Sequence, residues 1–153
     1  MPHPSREIVL IPLSTLTTTT TYTDCVMPDW ATAVILKLVV GTTTGTSPTL
    51  DVYIQQKIGT AGATDLVQAK PTGTALYDDF AAFTQATAAV TQILRIVGGG
   101  GQGTTQPTSA SDAALTAGTV RNGPIGRIWR AKAKVGGTNP SFAGVNLVAQ
   151  FIP

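Results

Sequence analysis

GTTTGTSPTLDVYIQQK, residues Gly41 to Lys57, opens on a Thr/Gly/Pro turn and runs directly into strict alternation. Leu50, Val52, Ile54 and Gln56 fall on one side, and Asp51, Tyr53, Gln55 and Lys57 on the other. Strand side chains project to opposite faces with a period of two, so the stretch predicts a β-strand with one face on a core. Its other face, with Asp51, Tyr53 and Gln55, is expected to be ordinary sheet surface in water.

Outward from this segment the same pattern recurs. Candidate strands run from Glu7 to Leu13, Thr17 to Thr23, Ala31 to Val40, Leu50 to Lys57, Leu76 to Thr84, Val90 to Val97, Arg127 to Val135 and Phe142 to Ile152. Gly, Pro or Thr-rich turns bound each one, and helical periodicity is nearly absent. About eight such strands predict an all-β fold, a two-sheet β-sandwich of jelly-roll-like type. At 153 residues the chain reads as a single domain over 1–153, and such a domain buries roughly 70% of the surface its unfolded form exposes.

Three regions depart from simple alternation. The Thr17 to Thr21 run suits a half-solvated edge or interface strand because Thr is β-branched, with a disordered Thr linker as the other reading. Ile58 to Gly73 and Gly98 to Gly118 are long loops of small and polar residues. Loops of that length in a compact domain are usually functional or disordered, and at least one is expected to reach a neighbouring subunit. The N-terminal segment, about 1–13, is expected to be extended.

Charged residues form 12% of the chain and the formal net charge is +2. Asp112 is the last acidic residue, and Arg121, Arg127, Arg130, Lys132 and Lys134 follow it. With only Trp129 among these cations, the pattern does not predict nucleic-acid binding. On the strand Arg127 to Val135, Trp129, Ala131, Ala133 and Val135 mark the core side. Arg130, Lys132 and Lys134 share the opposite face, either a solvated face that blunts edge pairing or a docking strip for an acidic partner. The longest apolar run, Ala33 to Val40, contains Lys37 and is far shorter than the roughly 20 residues of a membrane helix. The first residues, MPHPSREIVLIPL, lack a signal-peptide h-region and cleavage site, so a soluble, non-secreted chain is expected. Cys25 is the sole cysteine, which precludes an intramolecular disulfide.

Catalytic chemistry is hard to assemble from these residues, and no enzyme, cofactor or metal site is expected. Gly98, Gly100 and Gly103 satisfy G-x-G-x-x-G, but loop residues follow them rather than a helix. His3 is the only histidine and lies between prolines, so one chain cannot build a triad or a multi-histidine site. Asp78 and Asp79 are adjacent and read as a turn or strand-end pair, pointing to opposite faces. Cys25 has no His or Lys nearby in sequence and reads as an inert buried thiol. Trp30 and Trp129, with Tyr53, are either core anchors or a stacking platform for sugars.

Three blocks are also familiar as a set: GTSPTLDVYIQQ at Gly45 to Gln56, DDFAAFTQAT at Asp78 to Thr87, and GPIGRIWRAKAKVGGTNPSFAGVNLVAQF at Gly123 to Phe151. In this order they resemble a group of tailed-bacteriophage capsid decoration (auxiliary head) proteins. The chain departs from that group's pattern in its loops at Ile58 to Gly73 and Gly98 to Gly118. The resemblance implies a jelly-roll structural virion protein that binds the outer surface of the major capsid shell as a homotrimer, without cofactor, nucleic acid or membrane. Pro4, Arg6, Ile8, Leu10 and Pro12 on the N-terminal segment, with Arg130, Lys132 and Lys134, are then the expected capsid or subunit contacts. A carbohydrate-binding sandwich of a tail fibre or cell-surface protein, and a head-tail or tail-tube component, are the alternatives.

Overall fold

The computed structural model describes residues 5–61, 74–97, 113, 115–120 and 126–153. Eight strands follow one another: β1 Arg6–Leu16, β2 Thr20–Thr21, β3 Cys25–Val26, β4 Ala33–Val40, β5 Thr43–Ala61, β6 Thr74–Ala82, β7 Val90–Val97 and β8 Ile128–Ile152. Every pairing between them is antiparallel.

β8 organises the rest, because all strands but β6 and β7 pair with it. Residues 128–135 of β8 lie between β5 and the short β2 and β3, and β6 extends this layer beyond β5. Residues 142–152 lie between β4 and β1, and β7 extends that layer beyond β4. One continuous sheet thus curls into two layers, β6-β5-β8-β2/β3 and β7-β4-β8-β1. The result is an all-β, jelly-roll-like sandwich.

The corner between the layers is a two-stranded ribbon that the sequence reads as two separate turns. Gly45-Thr46-Ser47-Pro48-Thr49 on β5 and Gly137-Thr138-Asn139-Pro140-Ser141 on β8 pair about Thr46 opposite Thr138. On one side Thr49 meets Gly136, and on the other Ser141 meets Thr44, so each strand carries one extra residue at an equivalent place. The backbone repeats as well, with φ of 113° at Gly45 and 108° at Gly137, and 49° at Ser47 and 48° at Asn139. A Cβ on Gly45 would stand 2.6 Å from the Asn139 carbonyl oxygen, and one on Gly137 would stand 2.6 Å from that of Ser47. Only glycine tolerates both the dihedral and the approach. A bulge bends its strand and strengthens the twist, so two bulges related by a local twofold turn both strands round the corner together.

Alternation then builds the core. β4 buries Val34, Leu36, Leu38 and Val40, and β5 buries Leu50, Val52 and Ile54. From β8, Ala131, Ala133 and Ala149 keep the backbones close while Trp129, Phe142 and Phe151 fill the space between layers. Trp129 joins Phe80 of one layer, at a centroid distance of 4.5 Å, to Phe151 of the other, at 5.8 Å. Tilted aromatic pairs of this kind add about 0.5–1.5 kcal/mol beyond the area they bury.

Two segments differ from the sequence reading. Thr17 to Thr23 is not one strand: Thr20 and Thr21 pair with β8, while Thr19 turns its Oγ1 to accept the Val135 N–H at 3.1 Å. A threonine hydroxyl offering the backbone an alternative partner interrupts the ladder. In β1 the register shifts between Val9 and Ile11, and both Leu10 and Ile11 enter the core.

Candidate functional site: the outer faces of the two layers

The two outer faces are finished differently. On the β6-β5-β8 layer the strand alternation predicts solvent beyond Tyr53 and Gln55, yet Tyr53 is 7% exposed and Gln55 is fully buried. Ala113 and residues 115–120 pack beside this layer, with the Ala113 and Leu115 N–H groups reaching Asp79 on its face. Ala82 N donates to Thr119 O at 2.9 Å, and Ala81 bridges Val120. A strand periodicity says which way a side chain points and nothing of what packs against it.

Asp79 anchors that segment. It sits within β6, fully buried, rather than at a turn or strand end, and Asp78 is nearly buried as well. Asp79 Oδ1 accepts from Gln55 Nε2 at 2.7 Å and from Ala113 N at 3.0 Å, while Oδ2 accepts from Leu115 N at 3.1 Å. Gln55 Oε1 in turn accepts from Arg130 Nε at 2.8 Å. The Arg130 guanidinium lies 3.3 Å from the centroid of the Tyr77 ring, and the Tyr77 hydroxyl donates to the Asp24 carboxylate at 2.7 and 2.8 Å. Lys57 Nζ approaches Asp24 Oδ2 at 4.0 Å. A polar row therefore crosses β6, β5 and β8, its groups hydrogen-bonded or stacked against one another.

This row also decides the fate of the basic strip. Arg130 is held inside it, Lys132 is half-buried with interactions of its own, and Lys134 alone is exposed, opposite Asp51 in register. Of the N-terminal residues read as contacts, Arg6 and Pro12 are exposed, Ile8 is half-buried against the core, and Pro4 lies outside the described residues. Leu10 is in the core at 3% exposure because the bulge in β1 turns it inward, so it offers no surface to a partner. His3, the glycines at 98–103 and most of both long loops also fall outside the described residues. The described end of the second loop packs on its own β6.

The sugar platform loses its geometry. Trp129 is 4% exposed, with its indole N–H donating to Gly126 O at 2.6 Å, and Tyr53 is covered; Trp30 is half-buried against the core. Cys25 is half-buried, and burial, then the Asp24 charge, raise its pKa, which favours the thiol over the nucleophilic thiolate. A cavity of about 250 Å³ at one end of the sandwich is walled by Met27, Val34, Ile96, Trp129 and Phe151, with Arg127 and Asp29 3.9 Å apart at its rim. Its inner wall includes Trp129 and Phe151, which join the layers, and its rim is formed by Pro28, Asp29, Thr32 and Arg127.

The β7-β4-β8-β1 layer is open. Val9 is 52% and Ile93 48% exposed on its outer face, and Leu13 on β1 is 75% exposed. Ile35, Val39, Val148 and Ile152 lie between the edge strands on the same face, each half-buried as a sheet surface leaves them. Sequence reasoning missed this surface, although the outward positions of β4 and β8 include Ile35, Val39, Val148 and Ile152 beside the polar Lys37, Asn146 and Gln150.

The chain matches no protein-family model, and neither the curated proteins nor the solved structures contain a significant match.

Proposed function

We propose that this chain is a structural virion protein of a tailed phage, a decoration subunit that binds the outer surface of the major capsid shell as a trimer and performs no catalysis. The observation that carries the reading is where the three familiar blocks fall. Gly45 to Gln56 is in β5, Asp78 to Thr87 begins in β6, and Gly123 to Phe151 ends in β8, which makes them neighbours in the order β6-β5-β8. The blocks that carry the resemblance therefore form one structural unit with the corner ribbon at its end. A closed polar row on one layer and an open apolar face on the other suit a protein whose work is to hold others.

Multivalency would supply the strength, since three linked weak contacts gain from effective concentration what each lacks alone. Purified protein is expected to size as a trimer by light scattering and to cosediment with expanded capsids. A strict monomer that stays in the supernatant would end this reading. Ring-shaped oligomers of other symmetry in negative stain would favour a head-tail or tail-tube role instead.

A further inference from the structure

We propose that the outer face of the β7-β4-β8-β1 layer is a self-association surface, on which the β1 edge of one copy meets the β7 edge of the next. The register lays the face out in rows across four strands. One row reads Arg95, Ile35, Gln150, Glu7, and the next reads Ile93, Lys37, Val148, Val9. Each row thus ends in groups that complement its own opposite end: Arg95 against Glu7, and Ile93 against Val9.

Within one chain the two charges cannot meet. Three strand spacings separate them, roughly 14 Å at the usual distance between neighbours. Both are exposed, and neither has an ion-pair partner among the described residues. Between copies the rows match without rearrangement, so Arg95 pairs with Glu7 of a second copy as Ile93 covers its Val9. Lys37, the charge in the middle of the face, then lays its stem over apolar neighbours.

The face measures roughly 450 Å², from four strands at about 4.8 Å and seven residues at about 3.4 Å each. This is the size of a functional patch and below the roughly 800 Å² per partner of a standard stable interface, so association is expected to depend on concentration. Because the two complementary edges differ, the contact is heterologous when each copy offers one edge to the next, closing a ring where the rotation between copies closes, and gives a pair when both edges engage at once.

The inference takes from the proposed function only that the chain self-associates, and its test needs no capsid. Sedimentation velocity across micromolar concentrations is expected to show reversible association of the wild type. Glu7→Arg and Arg95→Glu each place like charges together and should weaken association by at least about tenfold. The double variant Glu7→Arg/Arg95→Glu restores the pairing and should recover it. Both positions are exposed, so circular dichroism melts should stay at the wild-type temperature. A monomeric wild type, singles that associate normally, or a double variant that fails to recover would each overturn the contact. Capsid cosedimentation of the same variants separates that failure from a failure of the functional reading.

Discussion

Trp129 and Phe151 stand near opposite ends of one 25-residue strand, and their ring centroids are 5.8 Å apart. Drawn straight, a strand of that length would measure roughly 80 Å. The corner at Gly137 brings its halves face to face, so this aromatic pair reports closure of the whole sandwich. Phe151→Ala removes a fully buried ring from the seam and should cost about 3–5 kcal/mol. The urea midpoint should fall accordingly, and near-ultraviolet circular dichroism should weaken as Trp129 loses its packing partner. A loss near that of a surface substitution would mean that the layers close without this contact.

The local twofold of the corner makes a comparative prediction. Gly45→Ala and Gly137→Ala put the same strain at equivalent places, a left-handed dihedral and a Cβ 2.6 Å from a carbonyl oxygen. Each should destabilise by at least about 1–3 kcal/mol, and by similar amounts. Their effects should not add, because both distort one shared ribbon. Thr46→Ala, exposed at the centre of the ribbon, should stay within about 0.5 kcal/mol of wild type. A neutral change at either glycine would break the proposed equivalence.

The strands were legible because their core positions alternate, and alternation is a local property. What lay beyond reach was whatever joins distant segments. GTSPT and GTNPS read singly as turns, and only their mutual pairing makes them a ribbon. Tyr53 and Gln55 obey the period of β5 yet are buried, and Gln55 is held between Asp79 of β6 and Arg130 of β8, both distant in sequence. The same holds for Asp79, whose adjacency to Asp78 suggested a strand end and whose role comes from the N–H groups of Ala113 and Leu115. The open apolar face was written in outward positions such as Ile35, Ile93 and Val148, which look unremarkable until the register places them side by side.

Asp79 should control the cover segment more than the sandwich beneath it. Asp79→Ala leaves the Gln55 amide and the Ala113 and Leu115 N–H groups without their acceptor, at about 1–3 kcal/mol for each group that stays buried. The segment can escape much of that cost by lifting into water. Hydrogen exchange should therefore speed up at residues 115–120 and at the Ala82 amide, with β4 and β7 still protected. Uniform loss of protection throughout the sheet would show instead that the cover and the sandwich unfold as one unit.

Alkaline pH should weaken the fold through two tyrosines. Burial raises the Tyr53 phenol above its ordinary value of 10.0, helped by the Asp51 and Asp79 charges. Burial also raises Tyr77, helped by its hydrogen bond to Asp24 and that carboxylate's charge, against an opposing pull from Arg130. A phenol whose folded value lies above its unfolded value is held neutral by the fold. The stability this supplies is complete below about pH 10 and is lost as pH rises through the raised folded values. The urea midpoint should accordingly begin to fall above about pH 10. Phenolate absorbance of the folded protein should show two late components, one absent in Tyr53→Phe and the other in Tyr77→Phe. If Tyr53 and Tyr77 ionise as they do in the unfolded chain, the polar row over β5 and β8 does not hold these hydroxyls as described.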